Sequence, residues 1–143
     1  MKTATFLILL LLASPFAQRR GLLLADEASE KAAQSASEAW LGLVDSAKYG
    51  ESWEQASTLF KGAVTKDQWE KQVGPVREQT GKFQSRKLKN SQYIEDPPNS
   101  PPGKYVALQY DPGFASGAFL ETIFMMQEKD GTWKASGYFV KPA

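Results

Sequence analysis

The residue best placed to do chemistry in this chain is Glu121, in the run "AFLETIFMMQE" (Ala118–Glu128). Strand alternation puts it on one face with Phe119, Ile123 and Met125, an apolar setting for a carboxylate. Burial there would raise its pKa and suit it to general acid or base work. The competing reading is a structural ion pair with Arg77 or Arg86, or a solvent-facing position. No partner nucleophile can be named, so the structural reading takes precedence. Asp45 is the second carboxylate of interest, following the apolar face of a first helix and preceding Tyr49. In a cone-shaped fold it would point into the mouth as an acid. The preferred reading is a side-chain bond to backbone near the helix end. A catalytic role for either needs a tyrosine hydroxyl beside it, from Tyr49 or Tyr138, in one water-poor cavity.

Arg77 and Arg86 have the fork geometry that clamps anionic ligands. They are equally suited to solvent, or to pairing with Glu78, Glu121 or Asp111, and spacing does not decide. Two absences narrow the chemistry further. The chain has no cysteine and no histidine. Thiolate nucleophiles, disulfides, zinc–thiolate sites, Ser-His-Asp triads and histidine-ligated metals are all closed off within one chain. No glycine-rich phosphate loop, dinucleotide fingerprint or calcium loop occurs. Asp96 and Asp111 stand too far apart in context to suggest calcium. No cofactor and no metal is expected.

The stretch "AWLGLVDSAKYGESWEQASTLF" (Ala39–Phe60) raises a different question, whether its rings line a pocket. Trp40, Trp53, Phe60 and Trp69 fall on helical faces, while Tyr105, Tyr110, Phe119, Phe124, Trp133, Tyr138 and Phe139 come from strand-like runs. Aromatics at such spacing ordinarily build core, with indole N–H and phenol O–H groups finding partners. The ligand alternative has Trp53 and Tyr49 rimming a small apolar pocket.

These residues need elements to position them. Ala33, Ala36, Trp40, Leu43, Val44 and Ala47 follow helical spacing over about Asp26 to Lys48, with Gly50 as the expected left-handed stop. A second short helix is expected to carry Trp53, Ala56 and Phe60. Thr65 and Gln68 form a capping box for a third, which Gly74-Pro75 should kink or interrupt. After Gly81 the period changes to that of strands. Lys82–Ile94, Lys104–Tyr110, Ala118–Glu128 and Thr132–Val140 are the expected strands, with a two-residue turn at Asp130-Gly131. "EDPPNSPPG" (Glu95–Gly103) must be an exposed loop, either a mobile lid or a plain connection. The expected class is α+β, with N-terminal helices packed on one face of a curled antiparallel sheet of about four strands.

The first residues, "MKTATFLILLLLASPFA", pair a basic start with an apolar block too short to span a bilayer, then small residues. That is the layout of a secretory signal over residues 1–25, cleaved after Ala17 or Ala25. A single domain over residues 26–143 fits a length of 143. The expected location is the bacterial periplasm or beyond it, with no stable membrane anchor after cleavage. With a formal net charge of +1 and no dense basic run, nucleic acid is not an expected partner.

Several fragments, "AWLGLVDSAKYGESWEQAS", "VTKDQW", "REQTG", "GKYVALQYDPGF" and "DGTWKASGYFVK", resemble the domain of unknown function 4019 family of small bacterial envelope proteins. They stand in that family's order. The pattern of Asp45, Tyr49 and Trp53 after a first helix, followed by a curled sheet, also looks like the nuclear transport factor 2-like cone. That superfamily holds enzymes, ligand binders and assembly modules, and fold likeness chooses none of them. Three functions stay open. The first is a non-enzymatic binding module for a small apolar ligand or an envelope protein. The second is a histidine-free hydrolase or isomerase using Glu121 or Asp45. The third is a homodimeric assembly module. Candidate binding residues are Trp53, Tyr49, Arg77, Arg86 and Tyr138.

Overall fold

In a computed structural model the described residues are 15–143, with side chains from Leu24 onward. Of the expected leader, residues 1–14 lie outside the described residues. Helix α1 runs Pro15–Asp45, so it starts well before the expected Asp26. The leucine- and alanine-rich stretch before Asp26 favours helix and carries no breaker strong enough to stop it. Its buried stripe is Ala33, Ser37, Trp40, Leu41 and Val44. Leu43, expected inside, is only half-buried.

The chain then departs from expectation at three points. Ala47, at φ 58°, takes the left-handed position assigned to Gly50. Gly50 instead lies inside α2 (Tyr49–Glu54), where a Cβ would sit 2.7 Å from Glu70 Oε1 and 2.8 Å from Lys66 Cε. Those atoms are the flexible ends of two exposed side chains of the next long helix, which lie over α2 there. The expected helix through Trp53 and Phe60 is split, with α3 covering Thr58–Ala63. Ser57 causes the split: its side chain caps Phe60 N, and its own N–H leaves the helical pattern to reach Ala135 O at 2.8 Å. Finally, α4 (Lys66–Thr80) passes through Pro75 without interruption. The proline forgoes one backbone bond there. Both halves of the expected Thr65–Gln68 capping box are present.

Four strands follow, β1 (Phe83–Glu95), β2 (Lys104–Phe114), β3 (Gly117–Gln127) and β4 (Trp133–Pro142). They form an open antiparallel sheet in the order β1-β2-β3-β4, so the α+β class holds. Val106, Leu108 and Tyr110 of β2, with Glu121, Ile123 and Met125 of β3, are buried beneath the helices. The turn before β4 is a three-residue loop, not the expected two. Glu128 N–H donates to Thr132 O, and Gly131, at φ 87°, donates to Glu128 O. A type I turn closed by a left-handed glycine gives this loop length. Residues 96–103 connect β1 to β2; Tyr105 OH donates to Pro101 O, and Gly103 N donates to Asp96 Oδ1.

The aromatic core joins helices to sheet. Trp69 lies 5.9 Å from Trp40, 5.0 Å from Phe60 and 6.1 Å from Tyr138, measured between ring centroids. Ser52, fully buried, serves both indoles: Trp40 Nε1 donates to its carbonyl and Trp69 Nε1 to its hydroxyl. With every polar tip partnered, the rings fill the space between α1, α4 and β4.

Candidate functional site

Five of the residues singled out in the sequence meet in one place. Asp45 ends α1, Arg77 stands in the last turn of α4, Arg86 lies on β1, Glu121 on β3 and Tyr138 on β4. Arg86 reaches across β2, its guanidinium 5.8 Å from the Tyr110 ring and 4.5 Å from Phe83. Its Nε donates to Glu121 Oε1 at 2.5 Å and its Nη1 to Asp45 Oδ2 at 2.8 Å. Its Nη2 is shared between Asp45 Oδ1 and Glu121 Oε2, at 3.0 and 3.2 Å. Arg77 Nη2 donates to Asp45 Oδ1 at 2.8 Å, and Tyr138 OH donates to Glu121 Oε2 at 2.7 Å.

This corrects the expectation for Asp45, whose carboxylate holds two arginines and not backbone. A carboxylate at a helix C-terminus faces the negative end of the dipole, and the two guanidiniums offset that cost. Glu121 is fully buried, as its apolar face implied, with the Arg86 partner foreseen as its structural alternative. Two carboxylates and two guanidiniums balance in charge. All four carboxylate oxygens accept at least one hydrogen bond. One donor is left over, Arg77 Nε, buried without an acceptor while its guanidinium lies 4.7 Å from the Phe114 ring.

Burial acts to lower the Arg86 pKa, but hydrogen bonds to Asp45 and Glu121 outweigh it and hold the group firmly protonated. Burial, reinforced by the Glu121 charge, pushes the Tyr138 phenol well above its ordinary value. Burial does the same to Tyr110, whose hydroxyl lies 2.6 Å from Ser37 Oγ.

The two ring residues expected to rim a pocket separate. Tyr49 borders a shallow cleft of about 260 Å³ with Asp45, Arg77 and Lys82. Trp53 is half-buried, and its Nε1 donates to Val64 O at 2.8 Å. A larger cleft, of about 410 Å³, lies elsewhere, between α1, α2 and the β3–β4 end of the sheet. Trp40, Leu43, Met125 and Trp133 give it apolar walls; Glu51 and Lys134 stand at it without an ion-pair partner among the described residues. Sequence reasoning missed this cleft. Leu43, expected on the buried stripe, is half-buried and lines this cleft.

A family model described as a protein of unknown function (DUF4019) matches residues 36–138. The chain belongs to the DUF4019 family. All five residues of the charged cluster fall within the matched span of this DUF4019 chain, as do all the residues that line the larger cleft. No curated protein and no solved structure matches the chain. The nuclear transport factor 2-like cone therefore gains no support beyond the general α+β architecture.

The tyrosine shifts give the DUF4019 domain a defined alkaline behaviour. In the unfolded chain both phenols ionise near pH ~10. The folded values of Tyr138 and Tyr110 lie higher, so their contribution to stability is fully present below that pH. It is lost as pH rises above the unfolded value toward the folded one. In the folded chain these two phenols are expected to ionise at higher pH than in the unfolded one, read by phenolate absorbance against circular dichroism. Tyr138→Phe should flatten the fall in stability above pH ~10. An early, reversible titration of all five phenols in the folded protein would contradict the burial of this cluster.

Proposed function

We infer that this is a non-enzymatic envelope protein that binds a small molecule in the lateral cleft between α1, α2 and the end of the sheet. The observation that carries the reading is the pairing of a closed interior with an open amphipathic cleft. Every oxygen of Asp45 and Glu121 is engaged by a donor from its own chain. Glu121 has no exposed surface and both carboxylates are tied to guanidiniums, so neither is placed to take a substrate's proton, which speaks against the histidine-free enzyme. The space that an apolar ligand would take inside a cone is filled by Trp40, Phe60, Trp69 and Tyr138.

The lateral cleft has the size and mixed lining of ligand sites in general, apolar walls with a few polar groups. Trp40, Trp133 and Met125 suit an apolar body; Lys134 and Glu51 suit a polar or charged end. The basic and apolar N-terminal sequence supports a periplasmic or secreted location.

Ala39 is exposed at the cleft wall, so Ala39→Trp fills the space without touching the core. The probe is 1-anilinonaphthalene-8-sulfonate, an apolar ring system with an anionic end. Saturable fluorescence enhancement with the folded protein is expected, abolished by Ala39→Trp and kept by a charged substitution at the exposed Phe139. Equal binding to wild type and Ala39→Trp would overturn the assignment of the cleft.

A further inference from the structure

We propose that the ligand of the lateral cleft is an apolar amino acid, bound as a zwitterion with its ammonium on Glu51 and its carboxylate on Lys134. The inference rests on the reading of that cleft as a binding site and adds the class of its ligand. Among the residues that line it, Glu51 of α2 and Lys134 of β4 are the two that carry charge, and their signs are opposite. Neither makes an ion pair with any described residue, so the two stand beyond pairing reach of each other.

The charges beside them are engaged elsewhere. Glu54, another acid of α2, holds Lys66, and Asp130 accepts from Thr132 N and Thr132 Oγ1 at 3.0 and 2.6 Å. Trp133, a wall of the cleft, adds an unused donor. The indole N–H groups of Trp40, Trp53 and Trp69 each reach an acceptor in the chain, while that of Trp133 reaches none among the described residues. It is not sealed from solvent, because the buried side-chain polar atom left without a partner is Arg77 Nε. Trp133 and Lys134 are adjacent on β4, and an N–H beside an ammonium matches the two oxygens of one carboxylate.

This pattern selects by repulsion as well as by attraction. An apolar acid satisfies Lys134 but brings its negative charge into a cleft that holds Glu51. An apolar amine satisfies Glu51 and meets Lys134 in the same way. A neutral ligand desolvates both charges and pairs neither. A zwitterion compensates both at once. The walls set the rest of the molecule: Met125 is apolar, and Trp40 has its Nε1 committed to Ser52 O, so it offers the cleft ring carbon. An apolar side chain fits between them, within a cleft of about 410 Å³.

Calorimetric titration with L-phenylalanine, N-acetyl-L-phenylalanine and L-phenylalaninamide is the test, on wild type, Glu51→Gln and Lys134→Gln. Neither side chain has an ion-pair partner to lose, so both variants should keep the wild-type circular dichroism and unfolding midpoint. Wild type is expected to bind L-phenylalanine about tenfold or more tighter than either blocked form, since each block removes one charge-assisted contact. Glu51→Gln should lose only the preference over the N-acetyl form, and Lys134→Gln only the preference over the amide. A wild type that fails to bind L-phenylalanine would overturn the proposal. So would equal binding of all three compounds, or preferences that survive both substitutions. In any of those cases, saturable binding of 1-anilinonaphthalene-8-sulfonate that Ala39→Trp abolishes would leave the cleft standing as a site for another ligand. Its absence would remove both readings together.

Discussion

Replacing Arg86 by methionine is expected to lower folding stability by about 3–5 kcal/mol, measured by urea unfolding. The side chain is 9% exposed and carries four of the donor contacts in the cluster. Without it, Glu121 keeps only Tyr138 as a donor, and a fully buried carboxylate is left without a countercharge. The loss reflects that stranded charge more than the worth of the pair itself. Removing both partners together should therefore hurt less. In Arg86→Met with Glu121→Met, Asp45 still has Arg77, and the two methionines fill comparable volume. Recovery of most of the single-variant loss is expected, since buried ion pairs replaced by apolar residues are commonly near neutral. A double variant as unstable as Arg86→Met would mean that the two groups are not energetically coupled.

Trp69→Ala is expected to cost about 3–5 kcal/mol by removing a large side chain at the centre of the aromatic core. Trp69 is 5% exposed and touches the rings of Trp40, Phe60 and Tyr138, so its loss loosens α4 from both α1 and β4. Trp69→Phe separates packing from hydrogen bonding. It keeps most of the ring contact and loses the Nε1 bond to Ser52 Oγ, which still donates to Tyr49 O. A loss of about 1–2 kcal/mol is expected there. If the phenylalanine variant were as damaging as alanine, ring packing would not be what holds α4.

The charged cluster and the ring cluster together explain why the interior is full. Tyr138 belongs to both, with its ring against Trp40 and Trp69 and its hydroxyl on Glu121. One residue of β4 thus ties the polar and apolar halves of the core. Asp45 and Arg77 reach that point from the C-terminal ends of α1 and α4. Guanidiniums at those two C-termini also complement the helix dipoles.

How far this was legible in the sequence depended on whether the signal was local. The change of hydrophobic period after Gly81, the Thr65–Gln68 capping box and the apolar neighbours of Glu121 are local patterns, and they carried the helices, the four strands and the burial of that carboxylate. The split at Ser57 was not legible, because its cause is a backbone bond to Ala135, far along the chain. Gly50 is not the left-handed stop because the chain makes that turn earlier, at Ala47, and α2 has already begun at Tyr49. Asp45 read as a backbone cap because nothing in the sequence says that Arg86 reaches over β2. That contact depends on strand register, with Arg86 opposite Pro112 and Tyr110 opposite Glu121. Ser52, which holds two tryptophans, has no pattern of its own.

The most direct measurement is native mass spectrometry of the protein purified without denaturation from the cells that express it, beside Ala39→Trp prepared in the same way. A defined extra mass on the wild type that is absent from Ala39→Trp is the expected result, and it would place the bound molecule in the lateral cleft. The same extra mass on both proteins, or a bare wild type, would contradict a ligand-binding cleft.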